Sequence, residues 1–200
     1  MLIHGLVTGS RVNGPGLRAV VYFQGCTLSC RFCWNKDTHT FSGEQRSVDD
    51  VAHSVVCAHH ERPLDGVTFS GGEPMQQADA LLALMESLRD RLPALSFGMY
   101  SGYSEPELAS SGYWCRSDLT QREKQDLWQR IRGLLDFAVL GRYVAGKPSA
   151  LALRTTTNQK LVLFSGRYEE EDFSAQEVEV HLDAHGTVQM TGFPTAGLLG

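Results

Sequence analysis

Hydrophobic positions along this chain fall into two rhythms, short β-branched runs and longer stripes at helical spacing, with turn residues between them. Ala19-Val20-Val21-Tyr22-Phe23, ending at Gly25, predicts a first strand. Ser47 followed by Asp50 reads as an N-cap and capping box, which opens a helix over about 48–60. Gly66-Val67-Thr68-Phe69-Ser70 predicts a second strand. The clearest helix follows: Leu81, Leu84, Met85 and Leu88 stand at i, i+3, i+4 and i+7, and Pro93 closes it. A third strand is expected over 96–100, then a helix with Leu127, Ile131 and Leu134 on one face, then strands over 135–140 and 160–164.

This alternation predicts an α/β fold, a parallel sheet with helices packed outside it. In such folds chemistry collects at the C-terminal ends of the strands. A cysteine loop follows the first strand, Ser70-Gly71-Gly72-Glu73-Pro74 the second and Tyr100-Ser101-Gly102-Tyr103 the third. Gly141-Arg142 and Asn158-Gln159 lie beside the last two. The tail changes rhythm. Val178, Val180 and Leu182 alternate with polar residues, and Asp183-Ala184-His185-Gly186 leads into Thr187-Val188-Gln189-Met190, a β-hairpin signal. The acidic run Glu169-Glu170-Glu171-Asp172 reads as a solvated link. The expected organisation is a core domain over 1–168 and an extension with the hairpin over 169–200.

Composition narrows the classes. A chain of 200 residues is expected to form one compact core. A formal charge of −5, with no basic stripe, gives no electrostatic case for nucleic acid. No apolar run approaches the roughly 20 residues of a membrane span, and Met1-Leu2-Ile3-His4-Gly5 lacks the layout of a signal peptide. Five cysteines, three of them clustered, suit a reducing cytoplasm better than a disulfide scaffold.

The cluster is Gly-Cys26-Thr-Leu-Ser-Cys30-Arg-Phe-Cys33-Trp, three thiols in one short loop. Buried hydrophobes or disulfides are one reading, and a zinc site completed by His39, His59 or Cys57 is another. A third is a 4Fe–4S cluster. Such a cluster wants four ligands, so three cysteines leave one iron open to a ligand that is not protein. Phe32 before the third cysteine and the glycine-rich element downstream favour this third reading. In that element Gly71 and Gly72 let backbone approach a ligand closely, their N–H and C=O groups are expected to grip it, and Glu73 adds a carboxylate for an ammonium.

Cys-x3-Cys-x-aromatic-Cys followed by Gly-Gly-Glu-Pro resembles the radical S-adenosylmethionine (SAM) enzymes. Asn13-Gly14-Pro15-Gly16-Leu17-Arg18, Phe23-Gln24-Gly25-Cys26 and Cys33-Trp34-Asn35-Lys36 resemble the activating enzymes of glycyl-radical enzymes, most nearly those of anaerobic ribonucleotide reductase. The resemblance spans roughly 8–165. It implies a partial (β/α)6 barrel and a site-differentiated 4Fe–4S cluster held by Cys26, Cys30 and Cys33. It also implies reductive cleavage of SAM to a deoxyadenosyl radical. Phe32 and Trp34 would line the adenine side, and Gly71, Gly72 and Glu73 would receive the methionyl amino group. Arg142 would meet its carboxylate, with Asn158 and Ser101 toward the ribose or sulfonium. The implied partners are a glycyl-radical enzyme, whose loop Asn13-Gly14-Pro15-Gly16 would help position, and a low-potential flavodoxin- or ferredoxin-type donor. Direct chemistry on a small molecule or ribosomal peptide is a second reading, and a non-catalytic metal-binding or electron-transfer module a third.

The chain departs from that pattern in places. Leu140 stands where activases often carry an acidic residue, and Cys57 and Cys115 are too few for a second cluster. The hairpin extends beyond the compact ribonucleotide-reductase activases. His59-His60-Glu61 reads as a polar helix end, and Tyr113-Trp114 as either a docking tip or a packing cluster.

Overall fold

The computed structural model describes residues 1–173, 178–182 and 188–192. Its elements begin with β1 (Leu2–Ser10), β2 (Arg18–Phe23), β3 (Glu44–Gln45), α1 (Val48–Glu61), β4 (Gly66–Gly71) and α2 (Ala78–Arg91). They continue with β5 (Ser96–Ser101), α3 (Glu105–Ala109), α4 (Gln121–Leu134), β6 (Phe137–Leu140) and β7 (Lys160–Leu163). Strands β8 (Val178–Leu182) and β9 (Val188–Gly192) pair antiparallel as the expected hairpin, whose turn lies outside the described residues.

The main sheet runs β3-β1-β2-β4-β5-β6-β7. Its centre, β2-β4-β5-β6, is parallel, and the strands flanking it are antiparallel. The fold is therefore α/β with a parallel core. Each parallel crossover advances the sheet in one direction, and right-handed crossovers then place every helix on one face. On that face α1 packs on α2, and α4 packs on both α2 and α3.

Strand alternation sends Val21, Phe23, Val67, Phe69, Phe97, Met99, Ala138 and Leu140 into the helix layer. The stripe Leu81, Leu84, Met85 and Leu88 meets them, fully buried. The opposite face of β2 and β4–β6 carries Arg18, Val20, Tyr22, Thr68, Tyr100 and Val139, and its polar members make it the face for chemistry.

Three capping boxes start α-helices: Ser47/Asp50 for α1 as expected, and Ser104/Glu107 for α3 and Thr120/Glu123 for α4. Strand β1 has no clear signal in the sequence. Bulges between Ile3 and Gly5 and between Val7 and Ser10 break its period of two, and that period is the signal a strand is read by. The direction of β7 was also hidden. Residues 141–159 contain no helix to carry a parallel crossover, so the chain returns antiparallel.

Candidate active site

The cysteine loop leaves the C-terminal end of β2 and is tied at its base. Gly25 N–H donates to Thr38 O at 2.7 Å, and Cys26 N–H donates to His39 O at 3.0 Å. Gln76 holds the near side, accepting from Thr27 N–H at 2.9 Å while its Nε2 donates to Thr27 Oγ1 and to Tyr103 Oη. Within the loop Ser29 and Phe32 take left-handed backbone, with φ of 48° and 60°. All three cysteines are half-buried free thiols, and they line one cavity of about 370 Å³.

The glycine-rich element closes against this loop. Gly72 N–H donates to Phe23 O at 2.8 Å and Glu73 N–H to Gly25 O at 2.9 Å. The approach explains both glycines. A Cβ on Gly72 would meet Gly25 O at 2.4 Å, and one on Gly71, at φ +96°, would meet Phe23 N at 2.6 Å. The expectation that the N–H groups of Gly71 and Gly72 grip a ligand is thereby corrected for Gly72. Its N–H holds the end of β2, and that of Glu73 holds the residue before Cys26.

Glu73 is buried, and its carboxylate is spent on the protein. Oε1 accepts from Met75 N–H and Ser101 Oγ, and Oε2 accepts from Gly102 N–H at 2.7 Å. It therefore pins the end of β4 to the end of β5. Burial pushes its carboxyl up to about 7 despite those donors. Burial also pushes the Cys26 thiol up to about 11, with Glu73 and the other two cysteines adding to the rise, and raises Cys33. Three thiolates crowded in this way need a strong positive charge beside them, which iron supplies. The donor set and the shared cavity fit a cluster with one open iron. Among the described residues no three His, Cys, Asp or Glu side chains gather closely enough to hold a single ion.

Other expected residues separate. Trp34, Ser101 and the Gly71-Gly72-Glu73 turn line the cavity; Phe32, Arg142 and Asn158 do not. Phe32 is 56% exposed, with the Arg31 guanidinium 4.8 Å from its ring centre. Arg142 reaches Glu107 instead, with both carboxylate oxygens at 2.8 Å. Asn158 donates to Arg142 O at 2.8 Å, and its Oδ1 is buried without a partner. Leu140, at the position where an acid was expected, faces the helix layer and so could not reach the cavity.

Asn13-Gly14-Pro15-Gly16 is built into the fold. Asn13 is buried at the cavity wall, donating to Ser10 Oγ and Thr191 Oγ1 and accepting from Thr68 Oγ1. Arg18 below it is fully buried, bonded to Thr68, Ser96 and the carbonyls of Pro15 and Val67. The hairpin supplies a wall that nothing in the chain's local pattern predicts, since Met190, Thr191 and Gly192 line the same cavity. Asn13, Tyr22, His39 and Tyr100 line it too. Of these, Tyr22 is the one that the sequence places in a strand with no further sign of a role.

The remaining groups do not line the cavity. Cys115 and Tyr113 are core, while Trp114 is half exposed with its ring edge on Phe41. Cys57 contacts His53 on the outside of α1, and His59 accepts from Leu64 N–H beyond the helix end.

Residues 12–162 match the family of 4Fe–4S single cluster domains. The pyruvate formate-lyase-activating enzyme of Listeria monocytogenes is 41% identical over 83 residues, 40% of this chain and 34% of that protein. The enzyme of the same name from Clostridium pasteurianum is 34% identical over 92 residues, 44% of this chain and 39% of that protein. Pyruvate formate-lyase 1-activating enzyme of Escherichia coli K12 is 40% identical over 80 residues, 38% of this chain and 32% of that protein. The chain thus spans between about a third and two fifths of the length of the curated relatives it matches.

Proposed function

We propose, for a chain that belongs to the family of 4Fe–4S single cluster domains, that Cys26, Cys30 and Cys33 hold a site-differentiated cluster and that the protein is a radical SAM enzyme of the activating type. One observation carries this reading. Three half-buried thiols and the Gly71-Gly72-Glu73 turn share a cavity at the C-terminal ends of parallel strands. When bound, the cluster supplies a low-potential electron for cleavage of SAM to methionine and a deoxyadenosyl radical.

The chain's own residues bind and orient. Cys26, Cys30 and Cys33 hold three irons as thiolates, and Trp34 offers an indole face to the adenine. With the N–H groups of Gly72 and Glu73 committed to Phe23 and Gly25, and the Gly71 and Glu73 carbonyls accepting from Asn35 Nδ2 and Gln76 N–H, the Gly72 carbonyl is the oxygen this turn offers an ammonium. Glu73 fixes Ser101 and Gly102 at the rim through hydrogen bonds. Tyr22 and Tyr100 wall the inner face of the sheet and narrow the space left for water.

The name shared by the relatives points to the reaction class. In this reading the radical abstracts hydrogen from a glycine of a partner glycyl-radical enzyme, and a flavodoxin- or ferredoxin-type protein delivers the electron. The narrower likeness to activases of anaerobic ribonucleotide reductase, the partial (β/α)6 barrel, the 1–168 core with its 169–200 extension and a cytoplasmic location belong to the same proposal.

The test is anaerobic reconstitution with iron and sulfide, reduction, and assay of deoxyadenosine from SAM. Deoxyadenosine from the wild type and none from Cys30→Ala is the expected result. A wild-type cluster that ignores SAM would overturn the reading.

A further inference from the structure

His39 lines the cavity shared by the three cysteines, and its ring nitrogen Nε2 is buried with no hydrogen-bond partner. Native structures seldom leave a buried ring nitrogen unpaired, because the lost hydration is not replaced. The backbone fixes where this imidazole sits. Thr38 and His39 pair directly with Gly25 and Cys26, so the ring is carried on the segment bonded to the first cysteine of the triad. Among the described residues no hydroxyl, carbonyl or carboxylate meets the nitrogen. Cys26, Cys30 and Cys33 line the same cavity as His39, so their sulfurs and whatever binds to them share that space with the ring.

We propose that His39 is a hydrogen-bond donor to a sulfur of the bound cluster, through Nε2–H, and so sets the reduction potential of that cluster. The inference rests on the cluster assignment proposed above. A neutral imidazole carries one N–H, and sulfur in a thiolate or sulfide is an acceptor. Reduction adds negative charge to the cluster, which a donated hydrogen bond stabilises, so the bond raises the potential.

Two variants test this. His39→Phe removes the donor and keeps a ring of similar size; His39→Gln keeps a donor. Each is reconstituted anaerobically beside the wild type and titrated potentiometrically, with the EPR signal of the reduced cluster as readout. The expected result is a fall of at least tenfold in the reduction equilibrium for His39→Phe, about 59 mV for one electron, with His39→Gln closer to the wild type. Equal potentials in all three overturn the proposal. Should His39→Phe assemble no cluster, pulsed EPR on wild type carrying 15N-histidine decides: a nitrogen coupling to the reduced cluster supports the bond, and its absence overturns it. A wild type that assembles no 4Fe–4S cluster sinks the underlying assignment instead, a result distinct from flat potentials on an intact cluster.

Discussion

The backbone N–H of Glu73 donates to the carbonyl of Gly25 at 2.9 Å, joining the glycine-rich turn to the residue that precedes the first cysteine. Two motifs far apart in the chain are thus one piece of structure, and a change in either moves the other.

Gly72→Ala follows from this. Its Cβ would meet Gly25 O at 2.4 Å, and both partners are backbone, so neither yields cheaply. A loss of about 1–3 kcal/mol is expected, read as a lower urea midpoint, together with reduced iron uptake on reconstitution. Unchanged values of both would refute the clamp.

Glu73 sets a pH dependence. Its folded pKa is raised to about 7 from 4.5, chiefly by burial. The folded state therefore holds a proton that the unfolded chain has released, and stability present below pH 4.5 is lost as pH rises toward 7. The span corresponds to roughly 3 kcal/mol. Urea unfolding of wild type and Glu73→Gln across this range should show the decline in the wild type and a flatter profile in the variant.

Arg18 is a buried cation whose partners are neutral hydroxyls and carbonyls. Burial lowers its pKa. Arg18→Met leaves those carbonyls unpaired and is expected to cost about 3 kcal/mol or more. Arg18→Lys should not rescue it, since an ammonium cannot reproduce the planar fork. Thermal unfolding of the two variants checks both statements.

Arg142 pairs with Glu107 at the surface, with both side chains more than a third exposed or close to it (41% and 34%). Arg142→Ala should cost less than about 1 kcal/mol and leave SAM affinity within about twofold. A tenfold loss of affinity, measured by calorimetry on the reconstituted protein, would show that the guanidinium swings to the SAM carboxylate.

Thr191 ties the hairpin to the core through Tyr22 Oη and Asn13 Nδ2, both at 2.6 Å. Thr191→Val keeps the shape and removes both bonds. Faster amide exchange in β8 and β9, with β4 and β5 unchanged, is the expected outcome; uniform protection would mean that other contacts hold the hairpin.

The parallel core, the helices α1, α2 and α4, the hairpin strands and the loop that carries Cys26, Cys30 and Cys33 are legible in the chain alone. Those features rest on local period, capping residues and spacing, which a chain displays without folding. It took the packed fold to commit the N–H groups of Gly72 and Glu73 to Phe23 and Gly25, to turn Arg142 to Glu107 and to turn Leu140 to the helices. That fold alone brought His39, Tyr22 and Thr191 to one cavity. Those outcomes depend on which strands pair and in what register, and on which face each side chain then takes. A shift of one residue in register would reverse every such face, and no local pattern in the chain records that choice for bulged β1 or for the loops.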